Sequence, residues 1–149
     1  MQSYFHFGQI SAQQIVITVK QFFQKDPSAV AFLEEIIVRR ELSDNFCYVN
    51  PKYDSYDGFL DWAKETLNKH RKDESKFIYS LEEFEEANTH EDLWNAAKKE
   101  LLINGKMHGY MRLYWAKKIL EWKKSPEEAL PIAIHLNNKY ELGGRDPNG

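Results

Sequence analysis

The stretch Met107-His108-Gly109-Tyr110-Met111-Arg112-Leu113-Tyr114-Trp115-Ala116-Lys117-Lys118-Ile119-Leu120-Glu121-Trp122 contains no helix breaker except Gly109. Within it His108, Arg112, Trp115, Ile119 and Trp122 follow one another by four, three, four and three residues, which puts all five on one helical face. A wholly apolar face would be ordinary packing. An imidazole and a guanidinium in line with two indoles send charge and aromatic rings into the same region, and burying Arg112 requires an acidic or phosphate partner. Spacing alone leaves two readings open: a core face whose polar end reaches water, or a site for an anionic or aromatic ligand.

Working outward, Ser125-Pro126-Glu127-Glu128 supplies an N-cap, a proline at the first helical position and an acidic third position, predicting a helix that ends near Tyr140. Upstream, Ser80 with Glu83 is a capping box and Thr89 with Asp92 a looser one, while Asn104-Gly105 is a helix stop, so two helices fit between 80 and 104. Leu60, Ala63 and Leu67 mark a short helix running into the charged segment 69–76, read as a solvated helix end and linker without chemistry. Residues 47–58, with Asn50-Pro51 and Asp57-Gly58, read as a long ordered loop. Asp26-Pro27 opens a helix to about Asn45 with Val30, Leu33, Ile36 and Ile37 as its apolar face. Ser11 and Gln14 open an earlier one over 11–25, with Ile15, Val16, Val19, Phe22 and Phe23 at helical spacing. The tail 143–149 is turn chemistry, and no strand alternation occurs. The expected class is all-α, with six or seven helices in one domain.

Of the 149 residues 42% are hydrophobic and 29% charged, and the formal charge of −3 is spread in both signs along the chain, unlike the footprint of a free-standing nucleic-acid binder. No apolar run approaches the roughly 18 residues of a membrane helix. The single Cys47 excludes an internal disulfide, no His/Cys cluster has zinc spacing, and Met1 to His6 lack the pattern of a secretory signal, so an intracellular protein without a structural metal is expected. The 4 Trp, 8 Tyr and 9 Phe serve cores, interfaces or flat ligands.

The quoted helix closely resembles the signature helix of class II photolyases, where it borders the flavin. Four further segments are similar to that family in the same order: 4–11, 34–42, Leu93-Trp94-Asn95-Ala96-Ala97, and Tyr140 with 144–149. The resemblance covers essentially the whole chain. It implies that 1–149 is part of the helical, C-terminal FAD-binding domain of the photolyase/cryptochrome type, incomplete at both ends, with the N-terminal α/β antenna domain absent. The implied function is light-driven repair of cyclobutane pyrimidine dimers flipped out of DNA, by electron transfer from reduced FAD. The implied partner is dimer-containing DNA, with no membrane and no metal, in an enzyme that is monomeric at full length.

Residue by residue, the resemblance implies that Glu35 hydrogen-bonds the flipped dimer and that Leu113, at a position often methionine, touches it. Trp94, Trp115 and Trp122 match tryptophans that relay an electron inward, with Tyr79 near that path. Arg112 and Asn137 match residues beside the isoalloxazine, and His108 and Gly109 belong to the same flavin-bordering helix. Taken alone, Asn137-Asn138 reads as a fraying helix end, and Glu35 as a helix-surface glutamate. Three departures accompany the match. The aspartate expected to face Arg112 falls at Gly143, leaving Asp146 as its substitute; Ser3 stands where a phosphate-binding motif has proline, with Met1 inside the motif; and a following segment with dimer-contacting aromatics would begin after Gly149. Two other readings remain: a non-catalytic helical fragment or interaction module, and a cryptochrome-like flavin photosensor.

Overall fold

In a computed structural model the described residues are 2–23 and 25–147; Met1 and the tail positions Asn148 and Gly149 fall outside them. Among the described residues all regular structure is helical, as the all-α expectation requires. The chain divides into two compact units, Met1–Pro51 with Arg145–Gly149, and Lys52–Gly144.

The first unit holds α1 (Gln2–His6), α2 (Ala12–Phe22), α3 (Pro27–Leu33), a π-helical turn (Glu34–Arg39) and α4 (Arg40–Val49). Its helix starts follow the sequence. Ser11 Oγ accepts from the Gln14 N–H at 3.1 Å, and Asp26 accepts from the Ser28 N–H at 2.8 Å with Pro27 in the first turn. Its helix ends differ. α2 stops at Phe22 rather than 25, and the helical run that starts at Pro27 continues to Val49 rather than Asn45, taking 47–49 out of the expected loop. The run is also not uniform, because the Arg40 N–H reaches back five residues to the Glu35 carbonyl. The extra residue in that turn rotates the downstream part of the rod, so Val30, Leu33, Ile36 and Ile37 do not form one buried stripe. Ile36 is buried, whereas Val30 is 69% and Ile37 41% exposed. Phe22 and Phe23 also face outward, and only Ile15 and Ile36 are buried hydrophobics among the described residues of this unit.

The second unit holds a 3-10 turn (Tyr56–Gly58), α5 (Asp61–Lys69), α6 (Leu81–Glu85), α7 (Asp92–Asn104), α8 (Gly109–Glu121) and α9 (Pro126–Tyr140), with α8 packed against both α7 and α9. α7 turns Trp94, Ala97, Lys98 and Leu101 inward at the spacing of one helical face. α8 and its C-cap contribute Trp115, Ile119 and Trp122, and α9 contributes Ala129 and Leu136. Truncating a fully buried ring of this size costs about 3–5 kcal/mol.

Caps set the boundaries. The Ser80–Glu83 box is complete in both directions, and Gly105 closes α7 at φ +62°, where its carbonyl accepts from the Leu142 N–H at 2.7 Å. The Ser125 side chain accepts from the Glu128 N–H. Two expectations change. Thr89 does not cap α7: Glu91 holds that position, and Thr89 instead exchanges hydrogen bonds with the Asn95 amide. The segment 69–76 is not a free linker. Arg71 grips Glu127 at 2.6 and 3.1 Å, and Ser75 Oγ donates to the Glu121 carbonyl at 2.7 Å.

Candidate functional site

The aromatic residues of the second unit are gathered by ordinary local rules. Tyr79 precedes the Ser80 cap and Phe84 lies four positions after it, the arrangement of a hydrophobic staple, and their rings meet edge to face at 5.8 Å. Trp115 and Trp122 are two turns apart along α8, and Trp94 enters between them from α7. The ring centroids run Trp115–Trp94 5.9 Å, Trp94–Trp122 5.7 Å and Trp122–Tyr79 5.3 Å. Phe84 flanks Trp94 at 5.3 Å and Trp122 at 6.3 Å. All three indoles are at most 2% exposed, and Trp94 Nε1 donates to the Trp115 carbonyl at 3.1 Å, fixing the stack. Dry rings this close are what short-range electron hopping requires, and the arrangement runs from a buried end at Trp115 to a half-buried one at Tyr79.

The polar end of the α8 face is graded rather than uniformly buried. Arg112, one turn before Trp115, is half-buried, and its guanidinium has no hydrogen bond or ion pair among the described residues. His108 caps α8, is exposed and stacks on Tyr110 at 5.7 Å. Leu113 is 61% and Tyr110 80% exposed. A Cβ on Gly109 would meet nothing, so packing does not demand glycine there. Asn137, on α9, is half-buried and makes no side-chain hydrogen bond among the described residues. The turn after it is clamped on its backbone, since a Cβ on the buried Gly144 would lie 2.6 Å from the Asn137 carbonyl oxygen. Gly143 is buried too, so no anion stands at that position.

In the first unit, Glu35 sits on the π-helical turn, exposed and without a side-chain bond among the described residues, while its neighbour Glu34 faces Arg39 at 3.9 Å. Asp146 has its carboxylate 3.4 Å from His6 Nδ1.

Among the described residues of the second unit, cavities open at two places that are lined by none of Arg112, Trp115 and Asn137. One, of about 490 Å³, lies against Phe77, His90, Trp122 and the segment 70–76; the other, of about 470 Å³, lies against 54–57 and Pro131. Among the described residues no group of three or more His, Cys, Asp and Glu side chains could hold a metal ion, and no helix is long and apolar enough to cross a membrane.

Three features of the site are not visible in the residue pattern as read above. Phe84 joins the ring stack; the staple beside its capping box is the signal that could have found it. Lys98 is fully buried, with Nζ 3.4 Å over the Tyr140 ring and no hydrogen bond, and burial pushes its ammonium down to about 8. His90 binds Tyr79 twice: the Tyr79 hydroxyl shares a hydrogen bond with Nδ1 at 2.5 Å and accepts from the His90 N–H at 2.9 Å. Nearby, burial and then a hydrogen bond with Glu91 push the Tyr114 phenol up to about 12.

Among the described residues the guanidinium of Arg112 and the side-chain amide of Asn137 have no hydrogen-bond partner, and Trp115 Nε1 is a buried donor without an acceptor.

No family model matches the chain. It is 56% identical over 150 residues to a deoxyribodipyrimidine photo-lyase of Arabidopsis thaliana, 51% over 150 to one of Potorous tridactylus, and 49% over 149 to one of Methanothermobacter thermautotrophicus. Each match covers 100% of this chain and respectively 30%, 28% and 33% of the relative, so the chain spans about a third of the length of the curated relatives it matches.

Proposed function

We propose, from the premise that this chain belongs over its whole length to the deoxyribodipyrimidine photo-lyase family, that it is the helical flavin-holding part of an enzyme that repairs cyclobutane pyrimidine dimers with light. The observation that carries the reading is the continuous buried stack Trp115–Trp94–Trp122, ending one helical turn from Arg112. A core of scattered indoles would pack equally well and conduct nothing.

The cofactor is FAD and the partner is DNA carrying pyrimidine dimers. Bound FAD supplies the light absorption and the electron that opens the dimer. Arg112 offers a fixed positive charge to it, and the Asn137 amide serves as donor or acceptor, whichever protonation state it faces. His108 and Gly109 belong to the same end of α8. Trp122, Trp94 and Trp115 pass an electron inward by short hops, with water excluded from all three rings. Glu35 hydrogen-bonds the flipped dimer, and a carboxyl there that shares a proton stabilises the negative charge arriving with the electron. The retention of a glutamate at position 35 supports repair over a purely sensory flavoprotein. Leu113, exposed on α8, contacts the dimer.

The test is made in the complete protein. Trp115→Phe is expected to slow light-driven reduction of oxidised flavin by about tenfold or more, ~1.4 kcal/mol. Repair by protein reduced beforehand should persist. Equal loss of both, or loss of neither, removes the relay assignment.

A further inference from the structure

We propose that Tyr79 and His90 form a coupled electron and proton donor at the outer end of the indole stack, with His90 Nδ1 as the proton acceptor. The inference rests on the relay reading above.

We assign the phenol as the donor of the bond between Tyr79 Oη and His90 Nδ1, the direction that goes with an imidazole carrying its proton on Nε2. The second bond, from the His90 backbone N–H to the same oxygen, holds the phenol in place and aims its proton at Nδ1. The Tyr79 ring lies 5.3 Å from Trp122, and the His90 ring lies at the same 5.3 Å from it. Phe77 covers the imidazole at 3.8 Å. His90 is exposed and lines the cavity of about 490 Å³, so a proton received there can pass to water.

The chemistry balances within these three residues. An indole radical cation at Trp122, produced when a photo-excited oxidised flavin or another one-electron photo-oxidant draws on the stack, takes one electron from Tyr79. The Tyr79 O–H bond breaks and its proton moves along the existing hydrogen bond to Nδ1. Trp122 returns to its neutral state, Tyr79 becomes a neutral phenoxyl radical, and His90 becomes an imidazolium. An oxidised phenol is strongly acidic, so without a base at hydrogen-bond distance the electron transfer would leave a high-energy cation. Separating the charge in this way keeps the hole at the surface and slows its return. Structural pinning of the segments around 79 and 90 would need the two hydrogen bonds but not the contact of both rings with Trp122.

The test has two arms. In one, a soluble ruthenium photo-oxidant with a quencher generates the hole in the 149-residue chain without flavin; in the other, the complete protein with FAD bound is illuminated. The expected result with the soluble oxidant is a tyrosyl radical in transient absorption and electron paramagnetic resonance, absent in Tyr79→Phe, whose formation slows in deuterated solvent. His90→Gln keeps an acceptor oxygen but no base, and is expected to lower the tyrosyl yield by about tenfold while the tryptophan radical lives longer. A wild-type yield and isotope effect in His90→Gln, or no Tyr79 radical in the wild type, overturns the proposal. Should His90→Gln fail to fold, long-range proton–nitrogen spectra of the wild type decide: a bare, hydrogen-bonded Nδ1 upholds the pair, and a protonated Nδ1 overturns it. A radical seen with the soluble oxidant but not on illumination of the complete protein with FAD bound would break the relay reading and leave the Tyr79–His90 pair standing.

Discussion

At Lys98 an ammonium sits 3.4 Å over the Tyr140 ring, shut off from water and without a hydrogen-bond acceptor. The ring offsets part of the desolvation cost, and burial lowers the group from 10.5 to about 8. For a base this sign means that the unfolded chain holds the proton more tightly. The cost is therefore full below about pH 8 and fades as pH rises toward 10.5. Lys98→Met should stabilise the protein near pH 7 by up to about 3 kcal/mol, with the gain vanishing toward pH 10.5. Urea denaturation at about pH 7, 9 and 10 measures it; a gain independent of pH would contradict the buried charge. Nothing in the sequence announces this residue, because a lysine between Ala97 and Leu101 reads as solvent-facing until Trp94 fixes which side of α7 is inside. The indoles are legible, since their spacing on α8 carries its own geometry. His90 is not, because the contact with Tyr79 spans eleven residues of loop and short helix with no period to read.

Among the elements, the tie between Arg71 and the first turn of α9 does most to order the segment after α5. The Arg71 hydrogen bonds hold the Glu127 carboxyl down at about 2, against 4.5 in an unfolded chain, so the tie is intact above about pH 4.5 and is lost as pH falls toward 2. Glu127→Gln should bring faster amide exchange in 70–76 at neutral pH, and the wild type should show the same loosening on acidification through that window. Unchanged protection in the variant would mean that Ser75 alone suffices. From sequence the segment reads as a solvated linker because its charges are all short-range signals, and the partner is 56 residues away. Helix starts, by contrast, are readable at Ser11, Asp26, Ser80 and Ser125, where a side-chain oxygen meets a backbone N–H two or three residues on. The end of α7 is readable too, at Gly105, whereas the ends of α2 and α4 and the π-helical turn are not, since no residue type marks them.

On the scale of the molecule, the two units differ in how much apolar matter they enclose. The first buries Ile15 and Ile36 and leaves Phe22, Val30, Tyr48 and Val49 more than two-thirds exposed, while the second surrounds three indoles. Native-state amide exchange should therefore show 12–49 opening at far lower free energy than 92–140, which is expected to exchange only near global unfolding. Equal protection in both would mean that the first unit is stabilised by something other than its own core. Of the proposed site, the part within the second unit rests on helical period and caps and can be read from the chain, whereas the standing of Glu35 depends on a local winding that residue types do not encode. That winding has a further consequence. A turn that takes up one residue more than an α-helical turn acts as a phase shifter of about 100° for everything downstream, so between Pro27 and Val49 a one-residue insertion or deletion can re-aim half of a rod whose composition is otherwise untouched. In this stretch, counting residues matters as much as choosing them.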